Sequence, residues 1–131
     1  MTERVSKEIH LLRTKYPDLE VSPDGNWVML HKYPLSSGWS KDLTDIVFQI
    51  PVSYPGSPPY GILTPSRLLF DGLQPDNYVQ ASGNIPPFSG EWWIFSWQPA
   101  DGEWKPGSEP IRGSNLLNWV MGFKTRFQEG K

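Results

Sequence analysis

The sequence predicts a single α+β domain over residues 1–131, with a helix near each end and antiparallel strands between the helices. Three observations predict this class. Apolar residues recur at helical spacing near both ends, the intervening segments alternate as strands do, and turns rich in Pro, Gly and Asn separate those segments. A chain of this length buries roughly two-thirds of the surface that it exposes when unfolded, so a single hydrophobic core suffices. We expect the helices to cover one face of the sheet.

The first predicted helix covers residues 2–15. Its apolar residues are spaced by four and three positions, which forms one stripe on a helical surface. The stripe consists of Val5, Ile9 and Leu12. Thr2 is a start signal, and the helix ends at Tyr16 because a residue before proline disfavours helical backbone.

Three or four antiparallel strands are predicted next, as a meander. The alternation and the β-branched and aromatic residues of Leu43–Ile50 are typical of a strand, and Pro51 closes it. Turns rich in Pro, Gly and Asn separate the strands from one another. The predicted strands are residues 19–21, 27–35, 43–50 and 61–64.

A long loop region follows the predicted strands. Residues 65–90 mix Pro, Gly, Ser and Asn with scattered apolar side chains, and an ordered loop of this length within one domain is usually functional. Residues 91–98 are rich in tryptophan. Strand alternation there would bury one set of side chains in the core and leave Trp92 beside Ser96. The buried set is Trp93, Phe95 and Trp97.

The last predicted element is an amphipathic helix, which follows a second turn-rich stretch at residues 99–110. Ser114 is its predicted N-cap, and Lys124 and Arg126 near its end suit the negative pole of the helix dipole. Its broad apolar face consists of Leu116, Leu117, Val120, Met121, Phe123 and Phe127.

Composition excludes several classes of function. The chain has no cysteine, so it can form no disulfide, thiolate metal site or thiol nucleophile, and we expect no metal and no cofactor. The net charge of −2 argues against a nucleic-acid partner, because that affinity comes mainly from clustered Lys and Arg. No apolar run is long enough to span a bilayer, and the charged N-terminus is not a signal peptide. We therefore expect a cytoplasmic protein with no membrane partner.

Two proline motifs carry a more specific signal. Tyr54–Pro59 reads Tyr-Pro-Gly-Ser-Pro-Pro after the third predicted strand, and Trp104-Lys105-Pro106 precedes the last helix. Together with the N-terminal helix and the meander, these motifs resemble the ubiquitin-conjugating enzyme family, whose domain is called the UBC fold. The phrase Phe95-Ser96-Trp97 ahead of the second motif is similar to the bacterial branch of that superfamily, prokaryotic family E. The resemblance covers nearly the whole chain.

The resemblance also implies a nucleophile. In the family, the catalytic cysteine lies eight residues before a Trp-x-Pro motif, and eight residues before Trp104 this chain has Ser96. The resemblance thus implies that Ser96 receives a ubiquitin-like protein from an activating enzyme, holds it as an oxyester and transfers it to target proteins. Two alternatives are a non-catalytic adaptor that binds the ubiquitin-like protein or its activating enzyme, and an engineered loss of the cysteine. A plain α+β interaction domain is a third.

Further residues are predicted around Ser96. Asp101 and Glu103 lie five and seven positions later. One interpretation is that they orient or deprotonate an incoming lysine, and the other is that they are solvated loop charges. The predicted support of the site consists of Trp92, Trp97, Asp101, Glu103 and Trp104. The family's His-Pro-Asn has no counterpart just before Ser96, so the oxyanion donor is open between Asn77, Asn84 and loop amides.

Partner binding is implied for the first helix and the proline motifs. Arg4 and Lys7 lie on the helix by which the family docks its activating enzyme. An ordinary solvated helix face would carry the same kind of basic residues, so that interpretation stays open. The predicted partner-binding residues are Arg4, Lys7, Tyr54, Pro55, Pro58, Pro59 and Pro106.

Overall fold

A computed structural model describes residues 2–99 and 103–130, and within them the chain forms three helices and six strands. The predicted α+β class is confirmed. The elements in chain order are α1 (Glu3–Arg13), β1 (Glu20–Val21), β2 (Trp27–Pro34), β3 (Leu43–Gln49), β4 (Ile62–Thr64), β5 (Tyr78–Gln80), β6 (Trp93–Phe95), α2 (Leu116–Met121) and α3 (Phe123–Glu129).

Helix α1 follows its predicted pattern. Thr2 caps it, since its Oγ1 accepts a hydrogen bond from the Val5 N–H at 3.1 Å. The predicted stripe is buried against the sheet and the C-terminal helices. Glu8 is buried on the same helix, which the stripe did not predict.

The strands form one antiparallel sheet in the order β1-β2-β3-β4-β6-β5. In its centre Val28 lies opposite Phe48 and Met29 lies opposite Val47. Alternation sends the first pair towards the helices and the second pair to the other face. The four predicted strands correspond to β1–β4.

The prediction of only three or four strands is wrong. Strand β5 lies inside residues 65–90, which were expected to be loop, and it pairs with β6 so that Tyr78 faces Phe95. Each of these strands is three residues long, too short for a periodic pattern. Their pairing partners are distant in sequence, and it is this pairing that makes them strands.

The main core lies between the sheet and the three helices. Phe95 and Trp97 are buried in it with ring centroids 4.4 Å apart, and Trp93 packs against it, so the predicted inward set is confirmed. The opposite face is not bare, because residues of the loop around Ala81 and Phe88 pack over a small second cluster. That cluster consists of Trp27, Met29, Val47, Leu63 and Trp92.

The predicted single C-terminal helix is instead two short helices, α2 and α3, that meet at Gly122. Glycine has a low helix propensity, so it is a natural position for the break. The break leaves Met121 52% exposed, although the sequence predicted it on the apolar face.

The predicted N-cap, Ser114, is also wrong by one residue. Asn115 caps α2 by accepting a hydrogen bond from the Asn118 N–H, and the Asn118 side chain accepts one from the Asn115 N–H in return. The Ser114 Oγ instead accepts from the Lys105 N–H at 2.9 Å and donates to the Glu103 carbonyl at 3.1 Å. Ser114 therefore stabilises the preceding turn.

Candidate functional site

Ser96 directly follows β6 and is exposed between two buried aromatic residues, Phe95 and Trp97. Its N–H donates to the Asn77 carbonyl at 2.9 Å, and the Trp97 carbonyl accepts from the Gly61 N–H at 2.6 Å. The backbone is therefore held on both sides of Ser96. We call residues 95–98 the Ser96 segment.

Asn77 is the residue opposite Ser96 across the β5–β6 pairing. It is exposed, and its φ of 58° lies in the left-handed region that asparagine tolerates better than most residues. Asn84, the other asparagine upstream, donates instead to the Gln49 side chain at 2.7 Å. Strand pairing therefore brings Asn77, and not Asn84, into register with Ser96.

Neither histidine forms a catalytic pair with Ser96. His31 Nε2 lies 2.6 Å from a Glu20 oxygen and its Nδ1 lies 3.5 Å from an Asp45 oxygen. His10 is exposed in the last turn of α1. Within residues 2–99 and 103–130, no side chain is hydrogen-bonded to the Ser96 hydroxyl. A hydrolase triad is therefore not assembled in this part of the chain.

The two proline motifs contact each other. The rings of Tyr54 and Trp104 are 5.8 Å apart, and the Trp104 Nε1–H donates to the Pro55 carbonyl at 2.8 Å. Trp104 is thus fixed against the turn that follows β3. Of the remaining motif prolines, Pro58 is half-buried, Pro59 is buried, and Pro106 pairs with Gly113.

A buried carboxylate joins these motifs to the helices. Glu8 is fully buried and accepts hydrogen bonds from Arg4 Nε at 2.9 Å, from the Leu116 N–H at 2.7 Å and from the Tyr54 hydroxyl. Burial is the main reason that the pKa of Tyr54 lies far above its ordinary value, and the bond to Glu8 adds to it. We call Arg4, Glu8, Tyr54 and Leu116 the Glu8 cluster. Sequence reasoning missed Glu8, although its i, i+4 spacing from Arg4 was a usable signal.

The two basic residues predicted to bind a partner differ in their availability. The Arg4 side chain is 19% exposed and also donates to the Gly107 carbonyl at 2.6 Å. Lys7 is 61% exposed and lies 3.2 Å from Glu3. Partner binding by either residue stays a prediction.

The structure does not gather all of the predicted support around Ser96. Trp97 is in the main core, whereas Trp92 is in the cluster on the opposite face and donates to the Phe88 carbonyl at 3.1 Å. Glu103 is exposed. Asp101 lies outside the described residues.

A cavity of about 600 Å³ lies between the Ser96 segment and the two C-terminal helices. Arg126 of α3 bridges the two sides. Its Nη2 donates to the Gln98 carbonyl at 2.5 Å, and its guanidinium carbon lies 5.6 Å from the Trp97 ring centroid. We call this the helix-side cavity.

Comparison with known proteins gives no match among family models, curated proteins or solved structures. In the described part of the chain, no helix is both long enough and apolar enough to cross a membrane. The same residues contain no group of three or more His, Cys, Asp or Glu side chains that could hold a metal ion.

Proposed function

We propose that this protein is a ubiquitin-conjugating-like transferase that carries a ubiquitin-like protein as an oxyester on Ser96. The observation that carries the proposal is the setting of Ser96. Its side chain is exposed, its N–H is held by the Asn77 carbonyl, and the next carbonyl, that of buried Trp97, is held by the Gly61 N–H. A nucleophile needs this combination of access and fixed position.

The chemistry starts from an activated acyl donor. The Ser96 Oγ attacks the C-terminal carbonyl carbon of the ubiquitin-like protein, held as an adenylate or as a thioester on an activating enzyme. The bond to AMP or to the thiol breaks, and the hydroxyl proton goes to solvent or to the leaving group. Serine is a weak nucleophile without a base, so the reaction depends on this activated donor.

The proposal assigns the oxyanion to Asn77. A side-chain amide can donate a hydrogen bond to the tetrahedral oxyanion that forms when Ser96 attacks the acyl donor, and again when an acceptor attacks the carbonyl carbon of the ester on Ser96. Asn77 is suited to this role because it is exposed and in register with Ser96. Loss of one oxyanion donor typically lowers kcat by about 10²–10³-fold, and Asn77→Ala tests this assignment.

The second candidate is a non-catalytic adaptor for the ubiquitin-like protein or its activating enzyme. One observation favours it: among the described residues, the Ser96 hydroxyl has no basic side chain bonded to it. An adaptor requires the fold and its surfaces but no reactive hydroxyl. The same reaction mixture separates the two candidates.

The test mixes the protein with ATP, a bacterial activating enzyme and the ubiquitin-like protein that this enzyme charges. We expect a covalent adduct that survives thiol reductant and is cleaved by mild base. Ser96→Ala should abolish it, whereas Ser82→Ala and Ser89→Ala, which change other exposed serines, should keep it. Ser96→Cys should give an adduct that thiol reductant cleaves.

Two results would contradict the transferase. One is the absence of any adduct although the activating enzyme charges itself with the ubiquitin-like protein. The other is an adduct that persists in Ser96→Ala. Stable binding of either protein without an adduct would favour the adaptor.

A further inference from the structure

A second cavity, of about 340 Å³, lies on the face of the sheet opposite the helices. The turn at residues 51–60 forms one of its walls, and the loop at residues 81–84 forms the other. We call it the sheet-side cavity. Its floor crosses the neighbouring strands β2, β3, β4 and β6 and consists of Trp27, Gln49, Leu63 and Ile94.

The lining of the sheet-side cavity is uncharged. In the part of the chain that the structure describes, no Asp, Glu, Lys or Arg side chain lines it. Pro51, Pro58 and Tyr60 supply the wall from the turn. Tyr60 is 56% exposed at the rim, and Val52 and Ile85, which are next in sequence to lining residues, are exposed as well. A charged ligand would lose hydration here without gaining a counter-charge, so the cavity favours an uncharged ligand.

The free polar groups on the floor are hydrogen-bond donors. Trp27 is only 5% exposed, and its indole N–H donates to no acceptor among residues 2–99 and 103–130. The unpaired indole nitrogens of Trp97 and Trp119 are sealed from solvent, whereas that of Trp27 is not, so it opens into the cavity that Trp27 lines.

Gln49 lies opposite Trp27 in the pairing of β2 with β3. Its Oε1 already accepts a hydrogen bond from the Asn84 side chain at 2.7 Å, which leaves the Gln49 amide NH₂ to donate. Two donors thus face the same space from adjacent strands. Because an unpaired donor in a closed site is costly, the floor favours a ligand that is rich in acceptors.

From these observations we infer that the sheet-side cavity binds an uncharged, proline-rich segment of a partner protein in the polyproline II conformation. The carbonyls of that conformation make no internal hydrogen bonds, and proline brings no N–H that would need an acceptor. Proline-rich segments commonly dock in grooves lined by aromatic rings, as Tyr60 and Trp27 line this one. The site does not involve the Ser96 hydroxyl.

The dimensions of the floor also suit an extended segment. From β2 to β6 there are three strand spacings, which together measure about 14 Å. A polyproline II segment rises about 3.1 Å per residue, so four or five residues would cross the floor.

An oligosaccharide is the alternative ligand for a cavity that combines aromatic rings with side-chain amides. Sugar hydroxyls donate as well as accept, and no carboxylate is present in the described lining to accept from them. The donors on the floor therefore favour the peptide.

The test titrates the intact protein with N-acetylated, C-amidated octaproline while the indole N–H signals are followed by NMR. We expect a saturable shift of the Trp27 signal, which is identified by its disappearance in Trp27→Phe. A blocked Gly-Ser octapeptide of the same length and cellohexaose should cause no saturable shift.

Three variants, compared by calorimetry, test the chemistry of the site. Tyr60→Ala removes the exposed ring at the rim and should weaken octaproline binding about tenfold, as loss of an aromatic contact residue commonly does. Trp27→Phe keeps a ring in the second cluster but removes the donor, and it should weaken binding about fivefold. Leu73→Ala, which removes an exposed apolar side chain outside the cavity, should leave binding unchanged.

Several results would overturn the site. They are the absence of a saturable Trp27 shift with octaproline, equal binding of the Gly-Ser peptide, tighter binding of cellohexaose, and octaproline binding that Tyr60→Ala does not weaken. Tyr60 is exposed, so Tyr60→Ala decides the matter even where Trp27→Phe fails to fold. No activating enzyme is present, so a missing adduct on Ser96 would overturn the transferase and leave this site standing.

Discussion

The Glu8 cluster and the Ser96 segment are both polar, yet they use their hydrogen-bonding groups in opposite ways. Glu8 is fully buried and accepts from three donors on α1, on the Tyr54 turn and at the start of α2. Ser96 is exposed, and among the described residues its hydroxyl bonds to no other side chain. The difference teaches that the buried Glu8 carboxylate holds distant elements of the fold together, whereas the exposed Ser96 hydroxyl, which no described side chain engages, is open to a reactant from solvent.

Removal of Glu8 should give the largest loss of stability. In Glu8→Ala the partly buried Arg4 guanidinium loses its counter-charge, and Tyr54 and the Leu116 N–H lose their acceptor. Breaking a buried pair in this way costs about 3–5 kcal/mol in the free energy of unfolding. Urea denaturation of the variant and of the unchanged protein measures this loss of stability.

Glu3→Ala is the control, since it removes an exposed carboxylate from the same helix and should cost under about 1 kcal/mol. Similar losses in the two variants would contradict the special role given to Glu8.

Tyr54→Phe should have an intermediate effect. It removes one donor from the buried carboxylate but keeps the ring that packs on Trp104. Leaving a buried acceptor short of one partner costs about 1–3 kcal/mol. The unfolding midpoint in urea should therefore fall, with an unchanged dependence on urea concentration. A loss as large as that of Glu8→Ala would contradict this expectation, because it would mean that the Tyr54 hydroxyl alone accounts for the stabilisation given to the whole cluster.

Alkaline pH tests two buried tyrosines, Tyr54 of the Glu8 cluster and Tyr33 elsewhere in the main core. Burial raises the pKa of Tyr33 to about 12, with Tyr16 adding to the shift, and it raises the pKa of Tyr54 further. Because these folded-state values exceed the unfolded value, the stabilisation is complete below pH 10 and is lost as pH rises above 10. We expect the free energy of unfolding to fall by up to about 1.4 kcal/mol per pH unit for each such tyrosine.

Tyr54→Phe should reduce that slope between pH 10 and 12, because one titrating group is gone. An unchanged slope in this variant would show that Tyr54 does not titrate differently in the folded and unfolded chains.

Ser96→Ala should have the smallest effect on stability. The change removes an exposed hydroxyl and keeps both the Ser96 N–H bond to Asn77 and the neighbouring bond from the Gly61 N–H to Trp97. The free energy of unfolding should therefore stay within about 0.5 kcal/mol. The same variant is expected to lose the adduct completely. Thermal unfolding of the variant, measured beside the adduct assay, distinguishes loss of chemistry from loss of fold.

Local pattern was enough to predict the first half of the fold. The spacing of Val5, Ile9 and Leu12 and the alternation of Leu43–Ile50 report burial directly, because one face of each element packs on the core. Strand β5 had no such signal. Its three residues are in a strand because they pair with β6, and that pairing joins positions about 15 residues apart.

The candidate site divides in the same way. The inward packing of Phe95 and Trp97 followed from alternation alone, whereas the pairing of Asn77 with Ser96 depends on a register that the sequence does not display. Trp92 shares the alternation of Ser96 but is buried in the second cluster, because the loop around Phe88 covers that part of the sheet. Alternation predicts which face a side chain takes, and it does not predict what covers that face.

The bond from the Leu116 N–H to Glu8 links the first turn of α2 to a helix more than 100 residues earlier in the chain. A six-residue helix would fray rapidly by itself, and each fraying event would let its first amides exchange with solvent deuterium. Here the Leu116 amide can exchange only after α1 has moved away from it. Hydrogen exchange at Leu116 should therefore proceed at the slow rate of a subglobal opening that includes the N-terminal helix, and Glu8→Ala should bring it to the faster rate of local fraying.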